Sequence, residues 1–209
     1  MKIGLISDTH IPEAMPQLPH QVWQVFAGVD IILHAGDLHC LEVLDWLEDI
    51  APVFAARGNG DNGSGGRPVV PDDPRLREAQ VVTCRGWTIG LVHDVLDPVE
   101  MPHWPVERTM RHYFKCHTPL IVCGHTHVER LQRHGDVWLI NPGSATFPHN
   151  LAAQPGTAGV LTLTQGNGAH VAIYDLKTRT PAATPLGMVV SVGVQRTAVA
   201  LPAGQGKRL

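Results

Sequence analysis

The segment Ile3-Gly4-Leu5-Ile6-Ser7-Asp8-Thr9-His10 decides the fold class. A short apolar run that stops at a hydroxyl, a carboxylate and an imidazole reads as a buried strand whose carboxyl end carries the polar groups. The pattern returns twice. Asp30-Ile31-Ile32-Leu33-His34 leads into Gly36-Asp37-Leu38-His39, and residues 52–56 lead into Gly58-Asn59-Gly60-Asp61. Between these strands, residues 20–26 place Val22, Val25 and Phe26 at helical spacing. Residues 40–50 do the same with Leu41, Leu44, Trp46 and Leu47, leaving acids outside. Alternating strands and helices give an α/β protein, and open α/β sheets bind ligands at the carboxyl ends of their strands.

Further along, residues 80–84 and 87–92 flank Arg85-Gly86 as a hairpin, where the sheet is expected to turn antiparallel and deliver His93 and Asp94 to a strand end. Residues 105–115 are expected to form a helix with proline at its first position. Residues 119–123 form a strand ending in Gly124-His125-Thr126-His127, where two imidazoles two positions apart on an extended segment would point the same way. Strand-like segments then centre on Leu131, 137–140, 159–163 and 170–174, so the second half is β-rich. Residues 58–66 hold five glycines in nine positions and form a loop bordering the site. Residues 1–176 make the main domain. Residues 177–209 are a C-terminal extension whose 188–194 and 197–201 runs would add a strand pair or pair with a neighbour in a homo-oligomer.

Composition narrows the function classes. In 209 residues, 16 basic and 19 acidic side chains give a net charge of −3, too little positive charge for a stable nucleic-acid complex. The apolar share of 44% and charged share of 17% are those of a folded globular protein. No run approaches the roughly 20 apolar residues of a membrane span. The first residues already read as a strand and not as a leader, so the cytoplasm is expected. The four cysteines, Cys40, Cys84, Cys116 and Cys123, form no Cys-x-x-Cys pair and read as free thiols. Histidine stands out with 13 copies.

At or just after the strand ends stand Asp8, His10, Asp37, Asn59, His93, His125 and His127. Carboxylate, amide and imidazole donors suit manganese, iron, nickel or zinc better than calcium or magnesium. Seven donors exceed the four of one tetrahedral site, which argues for two cations about 3.5–4 Å apart with Asp37 bridging them. The remaining histidines, including His20, His34, His112, His117, His134, His149 and His170, lack ligand spacing and are expected on the surface or in packing. Trp104 beside His103 is a candidate border of the substrate pocket, and Arg57 is expected to pair with Asp61.

Asp8-x-His10, Gly36-Asp37, Gly58-Asn59-x-Asp61, His93, Gly124-His125-x-His127 and Asn141-Pro142-Gly143-Ser144 together resemble the calcineurin-like metallophosphoesterase superfamily, in particular its small bacterial and archaeal phosphodiesterases. The resemblance runs from Lys2 to about Tyr174. It implies a four-layer αββα sandwich with two mixed β-sheets. It further implies that Asp8, His10, Asp37 and His127 hold one cation while Asp37, Asn59, His93 and His125 hold the other. Manganese is the first choice of ion. Asp37, Asn59 and His93 are the expected catalytic members, with His39, Gly60 and Asp61 beside the substrate. The implied activity is hydrolysis of small phosphodiesters by a metal-activated hydroxide. Two divalent cations less two carboxylates and that hydroxide leave about one positive charge, which matches a diester monoanion. A phosphomonoesterase or nucleotide hydrolase, and a non-catalytic scaffold such as the retromer subunit of this fold, are the alternatives.

One position departs from the family. Many members follow the metal-binding asparagine with a histidine that assists the leaving group, and here that position is Gly60. Aryl or strained diesters are therefore expected to turn over faster than alkyl ones, with His39, Asp61 and Asp94 as candidate acids. The Asn141-Pro142-Gly143-Ser144 segment reads as a tight turn at the site edge.

Overall fold

The computed structural model describes residues 1–95, 106–164 and 168–178, with the backbone of 180–181 and 192–193. Among these residues two mixed sheets face each other. The first is built on β1 (Lys2–Ile6), β2 (Ile31–His34), β3 (Val53–Ala56) and β4 (Leu76–Arg77), which run parallel in that order. The second contains β5 (Ala79–Cys84), β6 (Trp87–Val92), β7 (Leu120–Val122), β8 (Glu129–His134) and β9 (Val137–Pro142) in the order β5-β6-β7-β9-β8. Strand β10 (Thr157–Leu163) returns to the first sheet antiparallel to β1, and β11 (Gly168–Asp175) pairs with β10. The hairpin β5–β6 therefore opens a second sheet; it is not an antiparallel turn of the first. The reason lies in β4, a two-residue strand too short to leave a periodic trace.

Period-two alternation sorts the side chains into three apolar layers. Ile3, Leu5 and Leu33 point to the interior between the sheets, where they meet Ile89, Leu91, Leu120, Val122 and Ile140. Ile6 and Ile32 point the other way, against Val22, Phe26, Leu44 and Leu47 of the helical layer made by α1 (Gln21–Val25) and α2 (Glu42–Glu48). On the far side, Ile121 and Leu139 pack under Val106, Met110 and Phe114. Helix, sheet, sheet, helix is the four-layer arrangement.

Each outer layer depends on a glycine. A Cβ on Gly4 would stand 3.1 Å from the Phe26 ring, and one on Gly90 would overlap the Phe114 ring, so the missing side chains admit aromatic rings directly onto the strands. Phe114 lies on a widened turn. The helix expected over 105–115 is α3 (Val106–Thr109) followed by a π turn, Met110–Phe114, in which Lys115 N–H bonds the Met110 carbonyl five residues back. Pro105, His103 and Trp104 lie outside the described residues. In the extension, β12 (Thr180–Pro181) and β13 (Val192–Gly193) both pair antiparallel with β11, and the 197–201 run lies outside the described residues.

Candidate metal centre

Parallel strands β1, β2 and β3 release their chains at one edge, and the turns that follow carry the polar groups. The backbone there is unusual: Asp8, His10, Asp37, His39, His125 and His127 all have positive φ, between 44° and 71°. Only a few per cent of non-glycine residues do so, with Asp, Asn and His enriched. His125 and His127 thus sit on tight bends and not on an extended segment, and each bend aims its own imidazole. Backbone bonds lock these bends together: Asp8 N–H donates to the Gly36 carbonyl and His10 N–H to the Asp37 carbonyl.

The structure gathers all seven expected donors. In one half, His127 Nε2 stands 3.4 Å from Asp8 Oδ1, and His10 Nε2 stands 3.9 Å from Asp8 Oδ1 and 3.5 Å from Asp37 Oδ2. In the other, His93 Nε2 is 3.5 Å from Asp37 Oδ1 and 3.1 Å from Asn59 Oδ1, and His125 Nδ1 is 3.0 Å from the same amide oxygen. The two oxygens of Asp37 therefore divide between the halves. Asp8, Asp37, His93 and His127 are buried, whereas Asn59 and His125 are exposed, so the second half opens to solvent.

These groups fit divalent cations. His93 Nδ1–H donates to the Ala35 carbonyl at 2.7 Å and His127 Nδ1–H to the Phe147 carbonyl at 2.8 Å, which leaves each Nε2 a bare lone pair. Both lone pairs face carboxylate oxygens, an arrangement that repels itself unless positive charge lies between. His10 Nε2 is buried with no hydrogen-bond partner. Metal–ligand bonds of about 2.0–2.2 Å in tetrahedral geometry set ligand atoms roughly 3.4 Å apart, as these are. Burial alone would push the Asp8 carboxyl up; the nearby His10, His93 and His127 rings and the Ser7 hydroxyl, 2.6 Å away, outweigh it and hold the group below its usual range. Burial opposes charge on His93 as well, yet the Asp8 and Asp37 carboxylates raise its pKa. His127 goes the other way, because burial dominates. The four cysteines are free, and burial pushes the Cys123 thiol up to about 12.

The three residues expected beside the substrate separate. The His39 ring packs on His10, with centroids 4.3 Å apart, and neither of its nitrogens has a hydrogen-bond partner. Gly60 contributes its backbone N–H, which donates to Asp37 Oδ1 at 2.7 Å. Asp61 is enclosed and turned from the basin. Its carboxylate accepts the N–H groups of Asp37, His39 and Gly58 at 3.0, 2.9 and 2.8 Å, stapling the two loops. Arg57 accordingly does not meet that carboxylate. Its guanidinium donates to the carbonyls of Val70, Pro71 and Asp61 and to Asp72. Asp94 lines a separate small cavity with Val95, Cys123 and Arg130.

Sequence reasoning passed over several positioning groups. His34, expected in packing, is fully buried behind the site: Gly36 N–H donates to its Nδ1, so its Nε2–H faces Thr9 Oγ1 at 3.2 Å. Asn141 donates to the Gly124 carbonyl and Thr126 Oγ1 and accepts Gly143 N–H, while Ser144 Oγ donates to the Asp8 carbonyl. The 141–144 segment thus holds the His125–His127 bends in place. Glu13 and Arg67, far apart in sequence, pair through Arg67 Nε at 2.9 and 3.1 Å, and Glu13 Oε2 reaches within 3.4 Å of His39 Nδ1. No pattern in the sequence joins those two positions.

Two facing mixed sheets with a carboxylate–imidazole basin at their strand ends define a metallophosphoesterase fold. Residues 1–166 match the calcineurin-like phosphoesterase superfamily domain, and the chain belongs to that family. It is similar to a probable metallophosphoesterase of Methanothermobacter thermautotrophicus, 34% identical over 148 residues that cover 71% of this chain and 79% of the relative. Among solved structures it is similar to Vacuolar Protein Sorting 29 of Cryptosporidium parvum, with TM-score 0.65 and 25% identity over 83% of this chain and 90% of that one. It also shares its fold with the phosphoesterase YfcE of E. coli, with TM-score 0.60 and 20% identity over 92% and 100% of the two chains. No helix among the described residues is long and apolar enough to cross a membrane.

Proposed function

We propose that the chain is a two-metal phosphodiesterase of small phosphodiesters. The observation that carries this reading is the division of Asp37, one oxygen 3.5 Å from His10 Nε2 and the other 3.5 Å from His93 Nε2. Asp8, His10, Asp37 and His127 would hold one cation, and Asp37, Asn59, His93 and His125 the other. Such cations supply hydroxide at neutral pH and neutralise phosphoryl charge. Manganese is the first candidate, with nickel, iron and zinc as alternatives of similar ligand taste.

The chain's own groups favour a diester. Arg57 and Arg67, the arginines flanking the 58–66 loop, are engaged by Asp72 and Glu13 and by backbone carbonyls, and are not extended over the basin to meet a monoester dianion. Ala35 and Phe147 carbonyls fix two imidazoles so that no reorganisation is needed when a substrate arrives. His39 is the side chain beside Gly60, and it is the group we assign to the departing oxygen. The protein is read as cytoplasmic, without membrane or stable nucleic-acid partners, and its extension as a contact for self-association.

Likeness to Vacuolar Protein Sorting 29 supports a second reading, a scaffold that keeps the fold and works by binding partners. Hydrolysis of bis-p-nitrophenyl and mono-p-nitrophenyl phosphate, with manganese and with chelator, separates the readings. A metal-dependent preference for the diester that Asp37→Asn reduces at least about 100-fold supports the phosphodiesterase. Preference for the monoester supports a phosphomonoesterase, and a metal-loaded but inert protein supports the scaffold.

A further inference from the structure

A phosphodiester has two ester groups, and the site must house the one that stays on phosphorus as well as the one that leaves. Gly60 offers no pocket for either. The space its absent side chain would open is filled by His39, whose Nε2 stands 2.5 Å from the point a Cβ on residue 60 would take. Room exists on the other side. A cleft of about 360 Å³ opens directly from His10 and His127, within the range of roughly 300–1,000 Å³ typical of small-molecule sites. One wall is the Phe147 ring, 5.8 Å from the His127 ring and 6.5 Å from that of His10. Ala14 and Ala153 are small enough to leave the cleft open, and Asn150 gives it one neutral polar edge. Its charged members cancel: Arg67 Nε holds both Glu13 oxygens, at 2.9 and 3.1 Å.

Given the phosphodiesterase reading above, we infer that this cleft is the subsite for the retained ester group, and that it selects an uncharged, planar group of aryl or nucleoside size. A charged group would have to break the Glu13–Arg67 pair or lie unpaired against it. A methyl group would leave the Phe147 face in contact with water. A flat ring covers that face, and offset or edge-on ring contacts add to the area buried.

Two substrates with the same leaving group isolate the subsite. Bis-p-nitrophenyl phosphate and methyl p-nitrophenyl phosphate both release p-nitrophenolate and differ in what remains on phosphorus. The manganese-loaded protein is expected to show a kcat/KM at least about 10-fold higher for the aryl diester, carried mainly in KM. Phe147→Ala should bring the two kcat/KM values to within about 2-fold of each other, and Phe147→Leu should keep part of the preference. Calorimetry with diphenylphosphinate and dimethylphosphinate, monoanions with no ester bond to break, should show the same preference in binding and the same loss in Phe147→Ala. Equal rates on the two substrates, or a Phe147→Ala variant that slows both alike and binds both phosphinates as the parent does, overturns the subsite and leaves the phosphodiesterase standing. Hydrolysis of neither substrate overturns both.

Discussion

His39 occupies the space that a side chain on residue 60 would need, its Nε2 lying 2.5 Å from the position of a Cβ on Gly60, with Asp37 Oδ1 3.0 Å from the same point. The two positions are therefore coupled. Gly60→Ala must push His39 or Asp37 aside and should cost about 1–3 kcal/mol, the usual range for overpacking. His39→Ala should relieve that cost, so the double variant is more stable than the sum of the single changes predicts by at least about 0.5 kcal/mol. Chemical denaturation of the four proteins measures the difference, and strict additivity would contradict the packing. The same pair tests the role given to His39. His39→Ala should slow alkyl diesters more than p-nitrophenyl ones, by roughly 10–100-fold, and a His39→Ala/Gly60→His exchange should restore part of the loss.

Metal binding should stabilise the protein and be opposed by protons. Without a metal ion only a proton can offset the Asp8 and Asp37 charge at His93 and His127, and a ligand that binds only the folded form is stabilising by about 2.7 kcal/mol at 100 times its Kd. For a chain of this size that is roughly 5–10 °C in Tm. The His93 pKa is raised in the metal-free protein, against the pull of its burial, by the Asp8 and Asp37 charges. Its contribution to metal-free stability is thus present below about pH 6.5 and lost as pH rises through the raised folded value. A cation must displace that proton, so affinity falls as pH drops through the same value. Equal Tm with manganese and with chelator, or unchanged metal content at pH 5, would count against the assignment.

Burial pushes the His34 pKa down to about 3, because a charged imidazole there would have no water and would lose the Gly36 N–H as donor to Nδ1. With a folded value below the unfolded one near 6.5, the unfolded chain binds the extra proton between those limits. Stability is therefore retained above about pH 6.5 and drains away as pH falls toward 3, by on the order of 4 kcal/mol at the end of the window. His34→Asn keeps an acceptor for Gly36 N–H but cannot titrate. It should be less stable than the parent at pH 7 by about 1–2 kcal/mol and show a shallower loss on acidification in chelator. Parallel pH profiles for parent and variant would show that His34 is not the group responsible.

How far the sequence discloses the structure differs from one residue to the next. Asp8, Asp37 and Asn59 were legible because each follows an apolar strand, and the end of a strand is a place that periodicity can locate. The layered arrangement was implied by the family resemblance, and the structure places Ile3 and Ile6 on opposite faces of β1 as a strand's period of two requires. The split into two sheets came from the family resemblance and not from periodicity, because it turns on β4, a pair of residues held by Ala55 and Ala56 and not by a pattern of their own. The Glu13–Arg67 pair was not legible, as it spans 54 residues and exists only once the loops have met. The positive φ values at His125 and His127 were also hidden: the Gly-His-x-His spacing suggests extended backbone, and the bends arise from the Asn141 and Asp8 hydrogen bonds that arrive from elsewhere in the chain.

Asp61 shows how such remote bonds reach the metal-binding groups. Its carboxylate touches no expected ligand side chain, yet it accepts the backbone N–H of Asp37, of Gly58 beside Asn59, and of His39. Burial raises its pKa, with the Asp37 charge adding to the rise, and the His39 and Gly58 N–H donors oppose it without cancelling it. An asparagine in its place is nearly the same size but offers one oxygen where two accept now, and sets an amide N–H against a backbone N–H. The cost should be about 2–3 kcal/mol, that of leaving a buried donor unpaired. The loops would relax apart where an N–H loses its acceptor, carrying Asp37 and Asn59 with them, so manganese affinity should fall by roughly 10–100-fold although no donor has been removed. Calorimetric titration of Asp61→Asn with manganese, beside its denaturation curve, reads both effects. A variant that is destabilised but binds manganese as tightly as the parent would mean that the loops hold their spacing without Asp61, and that its carboxylate serves the fold alone.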